Sequence, residues 1–110
     1  MEPSRSRNPD SPVRSRYADD PTMRAIVARF ASALPERSDR LRQALLKADL
    51  DALNSLAHQL KGTAGGYGFD SISSAAAELE EETLSLEADL AMVRERVEDI
   101  TILCTAASRT

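Results

Sequence analysis

The chain has 110 residues, 18 of them acidic and 14 basic, for a formal net charge of −4. That length holds one domain around one modest core, and the acidic balance argues against nucleic acid as a general partner. Its single cysteine, Cys104, excludes an internal disulfide and fits a reducing compartment, and no apolar run approaches the ~20 residues of a membrane span.

Residues 1–19 carry three prolines, four serines and four arginines, the composition of a flexible or loosely packed tail. Val13 and Tyr17 are the residues there with a reason to pack onto the folded part. No apolar stretch of the signal-peptide kind opens the chain, so a cytoplasmic location is expected. From Asp20 onward helix-forming residues dominate, and aromatic residues are too few for a sheet core. Asp20 can cap a helix whose first turn takes Pro21. Met23, Ile26, Val27, Phe30, Ala33, Leu34, Leu41, Leu45 and Ala48 then recur at three- and four-residue steps. Pro35 must kink or split that run. Because the stripe resumes in phase beyond it, one long kinked helix is expected.

Asp49 is the next expected cap, followed by the stripe Leu50, Leu53, Leu56, Ala57, Leu60 and Ala64. The "GGYGF" stretch ends this helix. Asp70 or Ser71 is expected to cap a third helix carrying Ile72, Ala75, Ala76, Leu79 and Thr83. A turn near residues 86–89 leads to a fourth stripe of Leu90, Val93, Val97, Ile100, Cys104 and Ala107. The expected fold is all-α: an antiparallel up-down four-helix bundle over residues 20–108, behind the N-terminal segment 1–19. Its core fills without a partner, so a monomer is expected.

The only histidine, His58, stands just ahead of all four glycines in "AHQLKGTAGGYGF". At 100° per residue from Leu53, the core stripe lies within about 60° of its centre while His58 falls at about 140°. Lys61 lies on the flank between, at about 80°, and Gly62 and Gly65 fall at about 180° and about 120°, either side of the histidine. Glycine inside a helix costs roughly 1 kcal/mol relative to alanine. Accepting that cost beside an imidazole suits a surface cleared for another protein to approach. Gly66 and Gly68 are simpler, as turn and cap residues.

An imidazole in water titrates near about 6.5, so at neutral pH one ring nitrogen is usually free to attack. Zinc would need more ligands than the neighbourhood offers, and there is no Glu-x-x-His pair of the kind that holds metals in bundles. Cys104 lies on a core face and no serine is paired with the histidine, which removes the hydrolase arrangements. No phosphate-binding glycine loop precedes a helix. What remains is the histidine as nucleophile and group carrier, and the group best matched to Lys61 one turn away is phosphoryl. Spacing alone does not separate this from a surface histidine that has a lysine beside it by chance.

These residues resemble the histidine-containing phosphotransfer (HPt) domains of phosphorelays. The family's signature is a histidine followed by lysine and glycine, with a further glycine ten residues after the histidine. Here it stands as "HQLKGTAGGYG": His58, Lys61, Gly62 and Gly68. The following "AAAELEE" helix also fits, and the resemblance covers about residues 17 to 104. It implies a four-helix bundle, sometimes with a small extra N-terminal helix, whose histidine projects from the second bundle helix. That histidine accepts a phosphoryl group from a receiver-domain aspartate, or from a histidine kinase or hybrid kinase, and passes it on. By the resemblance His58 is the phosphoacceptor, Lys61 stabilises the phosphoryl group and Gly62 admits the receiver, while Gln59 sits where the family varies. No cofactor is implied on this chain; magnesium is expected on the receiver. Nothing resembles a kinase's ATP-binding domain, so self-phosphorylation is not expected.

Two other readings fit these residues less well. A bundle that only docks receivers or kinases has no need of an unencumbered histidine beside lysine and glycine. A metal-dependent helical enzyme would need further histidines or converging acids, and the chain has neither.

Overall fold

The computed structural model describes residues 13–85 and 87–109. These form five helical segments and, among the described residues, no strand: α1 (Arg24–Ser32), α2 (Leu34–Leu46), α3 (Leu50–Gly66), α4 (Asp70–Leu84) and α5 (Leu90–Ser108). The last four form an antiparallel bundle in which α3 packs between α2 and α4, and α5 closes the ring between α4 and α2. The short α1 lies on α5 and α2.

The expected long kinked helix is two helices. Pro35 has no N–H to give to the turn before it, and its ring crowds the carbonyl four residues earlier. The chain therefore breaks at Ala33 and restarts with proline in the first turn of α2. The break is shallow: Ala33 keeps helical dihedrals (φ −91°, ψ −5°), and its N–H reaches back to the Phe30 carbonyl at 3.0 Å. Asp20 accepts from the Thr22 N–H and hydroxyl, so a turn separates it from α1, which begins at Arg24 rather than at Pro21.

Asp49 caps α3, accepting from the Ala52 N–H at 3.0 Å. The α3–α4 corner is made by the glycine stretch. Gly68 takes a left-handed conformation (φ +84°), Phe69 N–H reaches back to the Ala64 carbonyl at 2.8 Å and Gly68 N–H to that of Gly65 at 3.0 Å. This is the Schellman pattern of helix termination. It runs straight into α4, so Phe69 takes the cap position without a side-chain bond, and the expected caps Asp70 and Ser71 lie inside the helix.

Residues 13–20 pack against this corner. The Ser15 hydroxyl donates to the Tyr67 carbonyl at 2.6 Å, Arg16 N–H donates to the Gly68 carbonyl at 2.9 Å, and the Arg16 guanidinium pairs with Asp70 at 3.1 Å. Val13 and Ser15 are buried and Tyr17 packs on the core. Among the described residues, packing on this corner is already in place at Val13. Residues 1–12, read from sequence as tail, lie outside the described residues.

The core takes Leu34 and Leu41 from α2, Leu53, Ala57, Leu60 and Ala64 from α3, Ile72, Ala75, Ala76 and Leu79 from α4, and Val93, Val97, Ile100 and Cys104 from α5. Each is 2% exposed or less. Four stripe positions point out instead: Ile26, Ala33, Ala48 and Leu90. Alanine at facing positions of α3 and α4 lets the two backbones approach closely, and this pair shares the most extensive contact in the bundle. That approach brings side chains on the rim of α4 within reach of His58.

Candidate phosphoacceptor site

His58 projects from the middle of α3 on the side facing α4, with two thirds of its side chain in solvent. Its Nδ1 lies 2.8 Å from Oε2 of Glu80 on α4. The other oxygen of the same carboxylate, Oε1, lies 2.7 Å from Lys61 Nζ. One carboxylate thus bridges the histidine and the lysine of the sequence motif. Glu80 itself is largely covered, with 17% of its side chain exposed. Its carboxyl is held below the usual range, first by the Lys61 ammonium and then by His58, against a smaller opposing cost of burial.

An ionised carboxylate only accepts hydrogen bonds, so the proton of the His58–Glu80 contact belongs to Nδ1. In the neutral ring this leaves the Nε2 lone pair bare. A neighbouring polar bridge sets the register of α3 on α4. The Asn54 amide donates to the Thr83 hydroxyl at 3.0 Å and to the Glu80 carbonyl at 3.3 Å. Farther along, Ser73 Oγ donates to the Lys61 carbonyl at 2.9 Å.

The two helical glycines beside His58 differ. A Cβ at Gly62 would meet nothing within 4 Å, so this surface is open. A Cβ at Gly65 would come within 3.1 Å of Ser73 Oγ. Gly65 therefore serves helix packing, and the sequence reading that it clears the surface with Gly62 is corrected: only Gly62 does so. Gly68 is needed for its positive φ and because the N-terminal segment lies on it. A Cβ there would meet Ser15 Oγ at 2.6 Å.

Cys104 is fully buried on α5 and its thiol is pushed up to about 12 by burial, which leaves no thiolate for chemistry. Sequence reasoning placed His58, Lys61 and Gly62 on one surface, and the structure has them there. It missed Glu80. The phase of α4 sets Glu80 at about 80° from Ile72, beside the core stripe, which is a signal that it flanks a neighbouring helix. Which neighbour it meets depends on the α3–α4 register, and one sequence does not carry that.

The antiparallel α3–α4 pair thus presents one open histidine with a lysine one turn on, both held on a single carboxylate. The family model for the Hpt domain matches residues 25–110, and the chain belongs to that family. The Hpt family consists of phosphotransfer carriers that work with receiver and kinase domains in phosphorelays. No curated protein and no solved structure matches the chain. Among the described residues no helix is long and apolar enough to cross a membrane.

Proposed function

We propose that this chain carries a phosphoryl group on Nε2 of His58, taking it from a receiver aspartate or a kinase and passing it to another receiver. The observation that carries this reading is the two-sided contact of Glu80 with His58 Nδ1 and Lys61 Nζ.

In the forward step the Nε2 lone pair attacks phosphorus. The N–P bond forms as the P–O bond to the receiver carboxylate breaks, and that carboxylate leaves with the bond's electron pair. The ring keeps its Nδ1 proton, so positive charge develops on the imidazole. Glu80 is already in place to stabilise that charge, and little reorganisation is required. In the return step the same proton makes the imidazole a better leaving group. Lys61, with 39% of its side chain exposed, has a long stem with which to turn from Glu80 toward the phosphoryl oxygens. Gly62 leaves room for the receiver's surface. The magnesium and the acidic pocket belong to the receiver.

The test is uptake of labelled phosphoryl from a phosphorylated receiver, with the unaltered chain and His58→Gln side by side. Acid-labile, alkali-stable label on the unaltered chain alone is the expected result. Equal label on both would refute the assignment. His58 is off the core, so the circular dichroism spectrum of the variant should match that of the parent chain.

A further inference from the structure

The end of the bundle where α2 and α4 finish and α5 begins is unusual on this molecule. Leu46 there is 81% exposed, Leu84 69% and Leu90 47%. Only one other large apolar side chain among the described residues, Ile26, is comparably open. Beside these leucines, α2 and α5 leave a groove of about 450 Å³ between them, with Leu45, Leu46, Val97 and Ile102 among its walls and Arg42 and Arg94 at its sides. Its lining is mostly apolar, with Glu98 the single acid.

Charge is divided across the same end. Residues 42–48, at the end of α2, hold Arg42 and Lys47 and no acid, whereas residues 80–89, from the last turns of α4 to the start of α5, hold Glu80, Glu81, Glu82, Glu87 and Asp89 with no basic residue between. Among the described residues Arg42 and Arg94 have no ion-pair partner, and neither do Glu82 and Glu87. One end of one molecule thus offers a basic apolar groove and, next to it, an acidic corner bearing exposed leucines.

We propose that this end docks a second copy of the chain, the acidic α4–α5 corner of each copy entering the Arg42–Arg94 groove of the other. A two-fold arrangement requires that a patch be complementary to itself, with each contact made twice. A surface carrying both the groove and its charge-matched knob meets that requirement, and such a contact closes as a dimer rather than growing into a filament. The filled core asks for no partner; the unpartnered arginines, acids and leucines at this end do. His58 stands eight residues into α3 from this end, about 12 Å at the helical rise, and on the outer α3–α4 edge, so pairing leaves it accessible.

Sedimentation velocity of the full chain up to about 0.5 mM tests this. The expected result is a concentration-dependent shift from monomer to dimer, weakened as salt rises from about 50 to about 500 mM. Arg42→Glu with Arg94→Glu should sediment as a monomer, and so should Glu82→Arg with Glu87→Arg. Mixed one to one, the two variants should pair again, because each reversed groove then faces a reversed corner. Circular dichroism checks that both variants stay folded. A wild-type chain that is monomeric throughout overturns the proposal. So does a dimer that the reversals leave intact, or two monomeric variants that fail to pair when mixed.

Discussion

The α3–α4 seam and the α2–α5 seam are built from different side chains and do different things. Along the first, Ala57, Ala64, Ala75 and Ala76 are buried, the helices lie close, and polar groups bridge the rim: Asn54 to Thr83, His58 and Lys61 to Glu80, and Lys61 to Ser73 through its carbonyl. Along the second, Leu34, Leu41, Val93, Val97 and Ile100 fill the core, and the rim is an open groove flanked by arginines. Small buried residues thus buy precision at the surface, since only helices in close contact can hold a histidine and a lysine on one carboxylate. Large ones separate the helices and leave a groove.

Phosphoryl uptake breaks this comparison most sharply. His58→Gln should remove it altogether, while charge reversals on the α2–α5 side, far from His58, should leave it in place. A receiver-transfer assay on both kinds of variant reads this directly.

The next largest effect concerns the corner that ends the α3–α4 seam. Gly68→Ala places a Cβ against Ser15 and Tyr17 at a positive φ, and should destabilise the chain by about 1–3 kcal/mol. Urea unfolding measures it. If the loss is absent, the N-terminal segment does not hold the corner as described.

Glu80→Gln tests the bridge itself. The amide can still meet both neighbours, but it carries no charge and no longer requires the proton on Nδ1. Transfer should slow about tenfold, equivalent to ~1.4 kcal/mol in the barrier. The single histidine makes the tautomer readable by ¹⁵N NMR, and the Nδ1–H population should fall with the rate. Acid should act on the same bridge. Because the Glu80 carboxyl is depressed in the folded chain, its contribution to stability is present above the ordinary carboxylate range and is lost as pH falls through its lowered value. Acid unfolding of Glu80→Gln should therefore show a weaker pH dependence than that of the parent chain.

The smallest effect separates two glycines of one helix. Gly62→Ala should stabilise the bundle by about 0.5–1 kcal/mol, because its Cβ meets open space. Gly65→Ala should gain less or lose, because Ser73 must give way. Thermal unfolding of the pair checks it.

The sequence carried much of this. Periodicity found the α3, α4 and α5 core faces, and the spacing of His58, Lys61 and Gly62 found one open surface. What it could not carry was interhelical. Glu80 reads as one acid in a run until α4 is placed on α3. Arg96 reads as a surface residue, yet α4 covers it and its guanidinium lies 3.5 Å from Glu78. The break at Pro35 was visible, but a stripe that continues in phase does not reveal whether the helix bends or restarts. Leu90 continues the α5 stripe, yet it is the first residue of that helix, at the end of the bundle, and stays half exposed.

The central claim is that Glu80 holds the Nδ1 proton and leaves Nε2 as the phosphoacceptor. Long-range ¹H–¹⁵N spectra of the ¹⁵N-histidine chain, recorded before and after incubation with a phosphorylated receiver, test it most directly. The expected result is a neutral ring protonated at Nδ1 beforehand, and a phosphoryl group on Nε2 afterwards with the Nδ1 proton retained. Phosphorylation at Nδ1, or a resting ring protonated mainly at Nε2, would contradict it.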